Sequence, residues 1–172
     1  SAVGIGAVRP GEGFVSLGTS GVIFLAGDRL APRPEQAVHA FCHALPGRWH
    51  QMTVMLSAAA GLSWARQMLG AASEAELLSQ AAALDARQRD TAPIFLPYLS
   101  GERTPHNDPW ARGVLFGLAA EHGPAHIAYA VAEGVAFGLR DGWQALGPAT
   151  AQAAPLTLVG GGSRSAWWAG LL

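Results

Sequence analysis

Four small residues, Gly18, Thr19, Ser20 and Gly21, separate two short runs rich in β-branched and aromatic residues. This pattern is typical of a β-hairpin with a tight tip. At such a tip, glycine lets a ligand approach the backbone, and amide and hydroxyl groups donate hydrogen bonds to phosphate oxygens. The spacing alone leaves two interpretations open: an ordinary turn or a phosphate-binding tip.

A second glycine run, Gly160-Gly161-Gly162-Ser163, lies between a predicted strand at 156–159 and a predicted helix. Free amides and the helix dipole favour a phosphate at a helix N-terminus. The run is not the GxGxxG dinucleotide pattern, and a tight strand-to-helix turn explains it equally well.

The third candidate is a polar loop from Pro97 to Pro109, which contains three prolines and the adjacent charges Glu102 and Arg103. Polar loops of this length often have a function. Glu102 and Arg103 are interpreted as functional charges facing a cleft, as a solvated tip, or as an ion pair that fixes the loop.

The histidines near the single cysteine form the weakest candidate. We predict a strand here, on which His39 and His43 are about 13 Å apart and Cys42 faces the opposite side, so no metal site is expected. Cys42 is predicted to be a buried free thiol, which fits a reducing cytosol. The chain shows no nucleophile–base constellation, so no catalytic residue is predicted in it. It contains no lysine, so a phosphate site must use amides, hydroxyls or arginine.

The elements that would position these residues mix an antiparallel start with later strand–helix alternation, which favours an α/β layered domain with a mixed sheet flanked by helices. Residues 1–13 are predicted to be a loop. Capping signals and periodicity then predict the following elements: strands at 14–17, 22–26, 37–44, 94–96 and 156–159; helices at 52–69 (entered through a short strand at 49–52), 73–89 and from Gly123-Pro124 to Gly147-Pro148; and a last helix after the second glycine run.

Composition narrows the class of protein. Of the 172 residues, 50% are hydrophobic and 13% are charged, which is typical of a globular domain. A formal net charge of −1 gives no electrostatic reason to expect nucleic acid or a membrane surface as a partner. No apolar stretch approaches the roughly 20 residues that a transmembrane helix needs.

Taken together, these motifs resemble the FGGY carbohydrate kinases over essentially the whole chain. The resemblance rests on SLGTSG (16–21), HAFCHALPGRWH (39–50), VMLSAAA (54–60), FLPYLSGERTPH (95–106) and GGGSRS (160–165). The stretch 113–133 resembles the second signature of the family, with Ala132 where a larger apolar residue is usual.

The resemblance implies a ribonuclease H-like, actin-like ATPase fold and binding of ATP with Mg²⁺ held mainly through the phosphates. It places Gly18, Thr19 and Ser20 at the β- and γ-phosphates, and Gly160, Gly161, Gly162 and Ser163 at the adenosine and α-phosphate. Ala59, Leu62 and Ser63 would also approach the nucleotide, and the loop around Glu102 and Arg103 would face a domain junction.

The resemblance also implies that residues 1–172 are the C-terminal nucleotide-binding domain, truncated at both ends. The partner would be an N-terminal sugar-binding domain of the same protein, and the general-base aspartate is expected just upstream of Ser1. A homo-oligomer is possible. The whole protein would be a cytoplasmic kinase that transfers the γ-phosphoryl group of ATP to D-xylulose, and the fragment alone would be inactive. The alternatives are a family member that acts on ribulose, glycerol or gluconate, or a non-catalytic nucleotide-binding module.

Overall fold

The computed structural model describes residues 2–172 and shows a mixed α/β domain built on one five-stranded sheet. The strand order is β3-β4-β2-β1-β7, and all neighbours are antiparallel except β1 and β7, which are parallel. A separate two-stranded antiparallel sheet joins β5 and β6. The strands are β1 (Gly13–Leu17), β2 (Gly21–Gly27), β3 (His39–Cys42), β4 (Trp49–Met55), β5 (Ile94–Leu96), β6 (Val114–Phe116) and β7 (Thr157–Val159).

Within residues 2–172, six α-helices flank the sheets, and three short 3₁₀ segments connect them to neighbouring elements. The helices are α1 (Ala2–Ile5), α2 (Ala59–Leu69), α3 (Glu74–Ala82), α4 (Ala86–Asp90), α5 (Pro124–Ala145) and α6 (Ala166–Leu171). The 3₁₀ segments are Pro34–Gln36, Gly147–Gln152 and Gly161–Arg164. No described helix is both long and apolar enough to cross a bilayer.

The central strand β2 is buried on both faces because its side chains alternate between two hydrophobic clusters. Ile23 and Leu25 belong to the main core with α2 and α5, whereas Phe24 and Ala26 pack with Phe14 on the opposite face. Alternation of this kind is what a strand covered on both sides requires.

Helix α5 is the main support of the core, and the helical periodicity that predicted it marks its buried face, which includes Ile127, Val131 and Val135. Small residues on that face allow close contact: a Cβ atom on Gly134 would lie 2.3 Å from the Phe95 carbonyl oxygen, and one on Gly138 would lie 2.9 Å from Met55 Cε. The predicted hairpin, β5, α5 and the strand before the second glycine run are confirmed.

The helix predicted at 52–69 was wrong over residues 52–58. Residues 52–55 continue strand β4, and α2 begins only at Ala59. The reason is pairing with β2, where Val54 lies opposite Val22 and Thr53 opposite Ile23. An apolar run of this length is ambiguous between strand and helix, and non-local pairing decides it.

Other predicted boundaries also shift. The predicted helix at 73–89 is two helices, because Asp85 caps a new one through a capping box with Gln88. Its first half, α3, buries Leu77, Leu78 and Ala81. Residues 2–5 form a helix within the predicted loop, the third strand is limited to 39–42, and β6 was not predicted at all.

Candidate functional site

An open cleft of about 740 Å³ collects most of the predicted site residues. Its volume lies in the range of small-molecule sites. The tip of the β1–β2 hairpin closes one end, α3 forms one wall, and the segment 161–168 forms the other. Seven of the ten predicted nucleotide residues line it: Gly18, Thr19, Ala59, Leu62, Ser63, Gly161 and Gly162. The remaining three, Ser20, Gly160 and Ser163, do not.

The hairpin tip is held in place by the start of α2. The carbonyl of Gly18 accepts the N–H of Ala59 at 2.9 Å, and the carbonyl of Thr19 accepts those of Ala58 and Ala60 at 3.0 and 3.2 Å. These bonds satisfy amides that a helix N-terminus otherwise leaves free. The first amides of α2 are therefore committed to the hairpin and are not available to an anion.

Donors at the tip itself remain available. The Gly18 N–H bonds the Ser20 carbonyl at 3.2 Å, whereas the N–H groups of Thr19 and Ser20 have no backbone acceptor within residues 2–172. Thr19 is exposed at the mouth of the cleft. Amides and hydroxyls presented in this way match the donor set that a phosphate needs in a chain without lysine.

The second glycine run packs against the end of β1. Gly160 has φ +94°, and a Cβ atom there would lie 2.7 Å from the Leu17 carbonyl oxygen. A Cβ atom on Gly162 would lie 2.5 Å from the Leu17 side chain, whereas one on Gly161 would meet no atom within 4 Å. Two of the three glycines are thus required by packing, and this packing brings Gly161 and Gly162 to the cleft.

The helix dipole does not act directly at this run. The three glycines lead into a 3₁₀ turn, Gly161–Arg164, in which the Ser163 hydroxyl donates to the Gly160 carbonyl at 2.7 Å. Helix α6 begins at Ala166, with Ser165 as its N-cap. Ser165 lines the cleft and was missed, although a serine just before an apolar helix is a capping signal.

Glu74 is a charged residue that lines the cleft and that the sequence reasoning missed. Its Oε1 accepts the Ser63 hydroxyl and the Arg66 Nε–H, both at 3.0 Å. The pKa of the Glu74 carboxyl is lowered, mainly by a hydrogen bond from its own backbone N–H and, to a smaller extent, by the one from the Ser63 hydroxyl. The capping pattern at Ser73 and Glu76 marked the helix start but not this side chain, because its partners lie on α2.

The remaining wall residues were missed because they come from separate elements. Ala75, Leu78, Ser79 and Ala82 share one face of α3 at helical spacing. On the opposite wall, Arg164 and Trp167 line the cleft, and Trp168 anchors the wall with 1% exposure. Its indole N–H donates to the Ala132 carbonyl at 3.1 Å.

The structure places Glu102 inside the domain and Arg103 at its surface. Glu102 is 3% exposed, and its Oε1 accepts the N–H groups of Leu56 at 2.8 Å and Arg103 at 2.7 Å. Burial raises the pKa of its carboxyl, against the opposing effect of these two N–H groups. Two residues on, the Thr104 hydroxyl accepts the Val54 N–H and donates to the Ala37 carbonyl. The loop thus bonds to the end of β4 and to Leu56 just after it, past the part of β4 that pairs with β3.

The prediction that Cys42 is buried was wrong: Cys42 is a free, exposed thiol at the end of the short edge strand β3. The neighbouring His43 is buried instead, with its Nε2 3.0 Å from the Ala7 carbonyl oxygen. Among residues 2–172, no group of three His, Cys, Asp or Glu side chains could hold a metal ion.

Comparison with known proteins agrees with this geometry. The model of the C-terminal domain of the FGGY family of carbohydrate kinases matches residues 13–172. The xylulose kinase of Escherichia coli K12 is 49% identical over 99% of this chain, which covers 35% of that protein. The crystal structure of a xyloylose kinase from Brucella ovis is 51% identical with a TM-score of 0.90, and the match covers 98% of this chain and 34% of that one.

A gluconate kinase from Lactobacillus acidophilus is more distant, at 30% identity and a TM-score of 0.85, with 98% of this chain and 34% of that one covered. The chain therefore spans about a third of the length of the relatives it matches. The fold and the matches define a domain of the class found at the C-terminus of carbohydrate kinases.

The chain belongs to the FGGY family of carbohydrate kinases. The expected fold class, a mixed sheet flanked by helices as in actin-like ATPase domains, is confirmed. Membership in this family implies the use of ATP.

Proposed function

We propose that the whole protein is a xylulose kinase that transfers the γ-phosphoryl group of ATP to the terminal O5 hydroxyl of D-xylulose. The observation that carries this proposal is the 49% identity to a xylulose kinase over 99% of the chain. The cleft supports the nucleotide part of the proposal, because the hairpin tip at Gly18 and Thr19 and the second glycine run at Gly161 and Gly162 line it together.

In the proposed reaction, the sugar hydroxyl oxygen forms a bond to Pγ while the bond between Pγ and the β–γ bridging oxygen breaks. The hydroxyl proton passes to a general base, and ADP leaves. This chemistry depends mainly on positioning and on stabilising charge. The free amides of Thr19 and Ser20 would bind the β- and γ-phosphate oxygens. Gly161, Gly162, Ala59 and Leu62 would border the rest of the nucleotide.

We assign Gly160 and Ser163 to shaping the cleft rather than to touching the nucleotide. The Gly160 backbone abuts Leu17, and the Ser163 hydroxyl is bonded to Gly160. When bound with ATP, Mg²⁺ supplies charge neutralisation at the phosphates. We propose that Mg²⁺ is held mainly through those phosphates.

The chain would act as the C-terminal nucleotide domain, and the rest of the protein would carry the sugar-binding domain and the general-base aspartate. The share of the relatives that the chain covers, about a third, supports this division. Arg103, exposed on the loop 97–109, would face the junction of the two domains. We place the whole protein in the cytoplasm, where ATP and a reduced Cys42 are expected.

ADP release by the whole protein tests the proposal. D-xylulose, ribulose, glycerol and gluconate would each be offered with Mg-ATP at equal concentration. We expect kcat/KM for D-xylulose to exceed the others by at least about tenfold, because a site that hydrogen-bonds substrate hydroxyls discriminates strongly. A preference for another of these substrates would leave the family assignment intact but would reject D-xylulose as the substrate. ATP binding without turnover of any substrate would favour a non-catalytic module.

A further inference from the structure

One oxygen of Glu74 is left over after its contacts within the domain are made. Oε1 holds both the Ser63 hydroxyl and the Arg66 guanidinium, whereas Oε2 accepts no hydrogen bond from any other residue of the described range 2–172. The side chain is 41% exposed and lines the cleft. The two bonds to α2 fix the carboxylate against the cleft wall. A ligand can therefore bond the other oxygen with little further loss of side-chain conformational entropy.

The charge of Glu74 limits what it binds. Its pKa is lowered, so the group is a carboxylate at neutral pH and accepts hydrogen bonds without donating any. A carboxylate repels phosphate oxygens and attracts hydroxyl or amino hydrogens. The part of a ligand that lies against Glu74 must therefore carry donors.

The position of Glu74 along the cleft identifies that part. Ala59 is bonded to the hairpin tip, and Ser63, the partner of Glu74, lies four residues further, about 6 Å along α2. Leu78 and Ala82 lie one and two turns further along α3 than Glu74, and Trp167 lines the cleft on the segment 161–168. Along α2 and α3, the phosphate donors at the hairpin tip are thus followed by a carboxylate and then by apolar side chains against which a flat base would pack.

We propose that Glu74 binds the ribose hydroxyls of the nucleotide and thereby selects ribonucleoside over deoxyribonucleoside triphosphates. The proposal rests on the proposed binding of ATP in this cleft. It also changes the role of Ser63, whose hydroxyl is committed to Glu74 and positions that carboxylate. The ribose is the part of ATP that lies between the phosphates and the base, and its two hydroxyls are the donors there.

Kinetics with nucleotide analogues test this directly. The whole protein would be assayed at saturating sugar with ATP, 2′-deoxy-ATP and 3′-deoxy-ATP, as wild type and as Glu74→Gln. We expect wild type to favour ATP over at least one deoxy analogue by about tenfold in kcat/KM. This is the factor expected when one hydrogen bond to a charged group is lost. In Glu74→Gln, kcat/KM for ATP should fall about tenfold, mainly through KM, and the preference should shrink to about twofold.

Glu76→Gln is the matched control, because Glu76 is an exposed carboxylate in the same helical turn that binds the Ala72 N–H outside the cleft. It should keep both the turnover and the preference of wild type. Equal use of ATP and both deoxy analogues by wild type would overturn the proposal even if Glu74→Gln failed to fold. So would an unchanged preference in a folded Glu74→Gln protein. Absence of any ATP turnover in wild type would instead reject the proposed function itself.

Discussion

The two glycine-containing turns at the cleft and the loop 97–109 look alike in sequence, since each joins small or polar residues between apolar segments. In the structure they use their polar groups in opposite ways. At the hairpin tip, the amides of Thr19 and Ser20 lack backbone acceptors among the described residues. On the loop, the side chains of Glu102 and Thr104 are buried and bonded to β4 or its neighbours.

This contrast separates binding from support. A polar group that is buried must find partners within the fold, because leaving it unpaired is costly. A polar group that is exposed at a cleft keeps its capacity for a ligand. The difference supports the proposed phosphate binding at the hairpin tip, and it gives Glu102 a role in the stability of the sheet edge.

The largest effect is expected within the second glycine run, where packing and binding can be separated. Gly160→Ala forces a side chain at φ +94° and against the Leu17 carbonyl. The strain and the clash should lower the free energy of unfolding by about 3 kcal/mol. Gly161→Ala, with no atom within 4 Å of its new Cβ, is the control and should cost less than about 1 kcal/mol. Urea unfolding measures both, and equal losses would contradict the packing role of Gly160.

The next effect concerns the buried carboxylate. Glu102→Ala removes the acceptor of the Leu56 and Arg103 N–H groups. It should lower the free energy of unfolding by about 2 kcal/mol, since a buried unpaired donor costs that much. Glu102→Gln keeps an oxygen acceptor and removes a charge that burial disfavours, so it should be close to wild type. Urea unfolding measures both variants. Equal losses in the free energy of unfolding for Glu102→Ala and Glu102→Gln would contradict the role of Glu102 as a hydrogen-bond acceptor.

Thr19→Ala should show the opposite profile. Thr19 is exposed, so the free energy of unfolding should change by less than about 0.5 kcal/mol. Turnover of Mg-ATP by the whole protein should fall about tenfold if the Thr19 hydroxyl adds one hydrogen bond to a charged phosphate beside those of the tip amides. Steady-state kinetics measures the turnover, and urea unfolding measures the stability. Unchanged turnover would leave the phosphates to the amides alone and reject a role for the Thr19 hydroxyl.

The smallest effect is the pH dependence of stability, in which Glu102 and Glu74 should differ in sign. The folded-state pKa of Glu102 is raised, so its contribution to stability is present below its unfolded pKa and is lost as pH rises through the folded value. The folded-state pKa of Glu74 is lowered, so its contribution is present above the unfolded pKa and is lost as pH falls.

Urea unfolding between pH 7 and pH 4 would measure this, with each protein compared with its own glutamine variant. Relative to Glu102→Gln, wild type should gain stability towards acid; relative to Glu74→Gln, it should lose stability. The same sign for both carboxylates would contradict the environments described for them.

Local signals in the sequence were enough to predict the hairpin, the buried face of α5 and the turn at 160–163, because each depends on neighbours within a few residues. Residues 52–55 were assigned to a helix because their pairing with β2 is invisible to local periodicity. The role of Glu102 was left open because its partner Leu56 is 46 residues away. The cleft walls combine α3 with a segment about 90 residues later, so Glu74 and Trp167 could not be brought together without the fold.

A crystal structure of the whole protein with bound ADP tests the central claim most directly. The account predicts that the β-phosphate oxygens lie within hydrogen-bonding distance of the Thr19 or Ser20 amide, about 3 Å, with the base between α3 and Trp167. A nucleotide bound elsewhere, with the hairpin tip free, would contradict the assignment of this cleft.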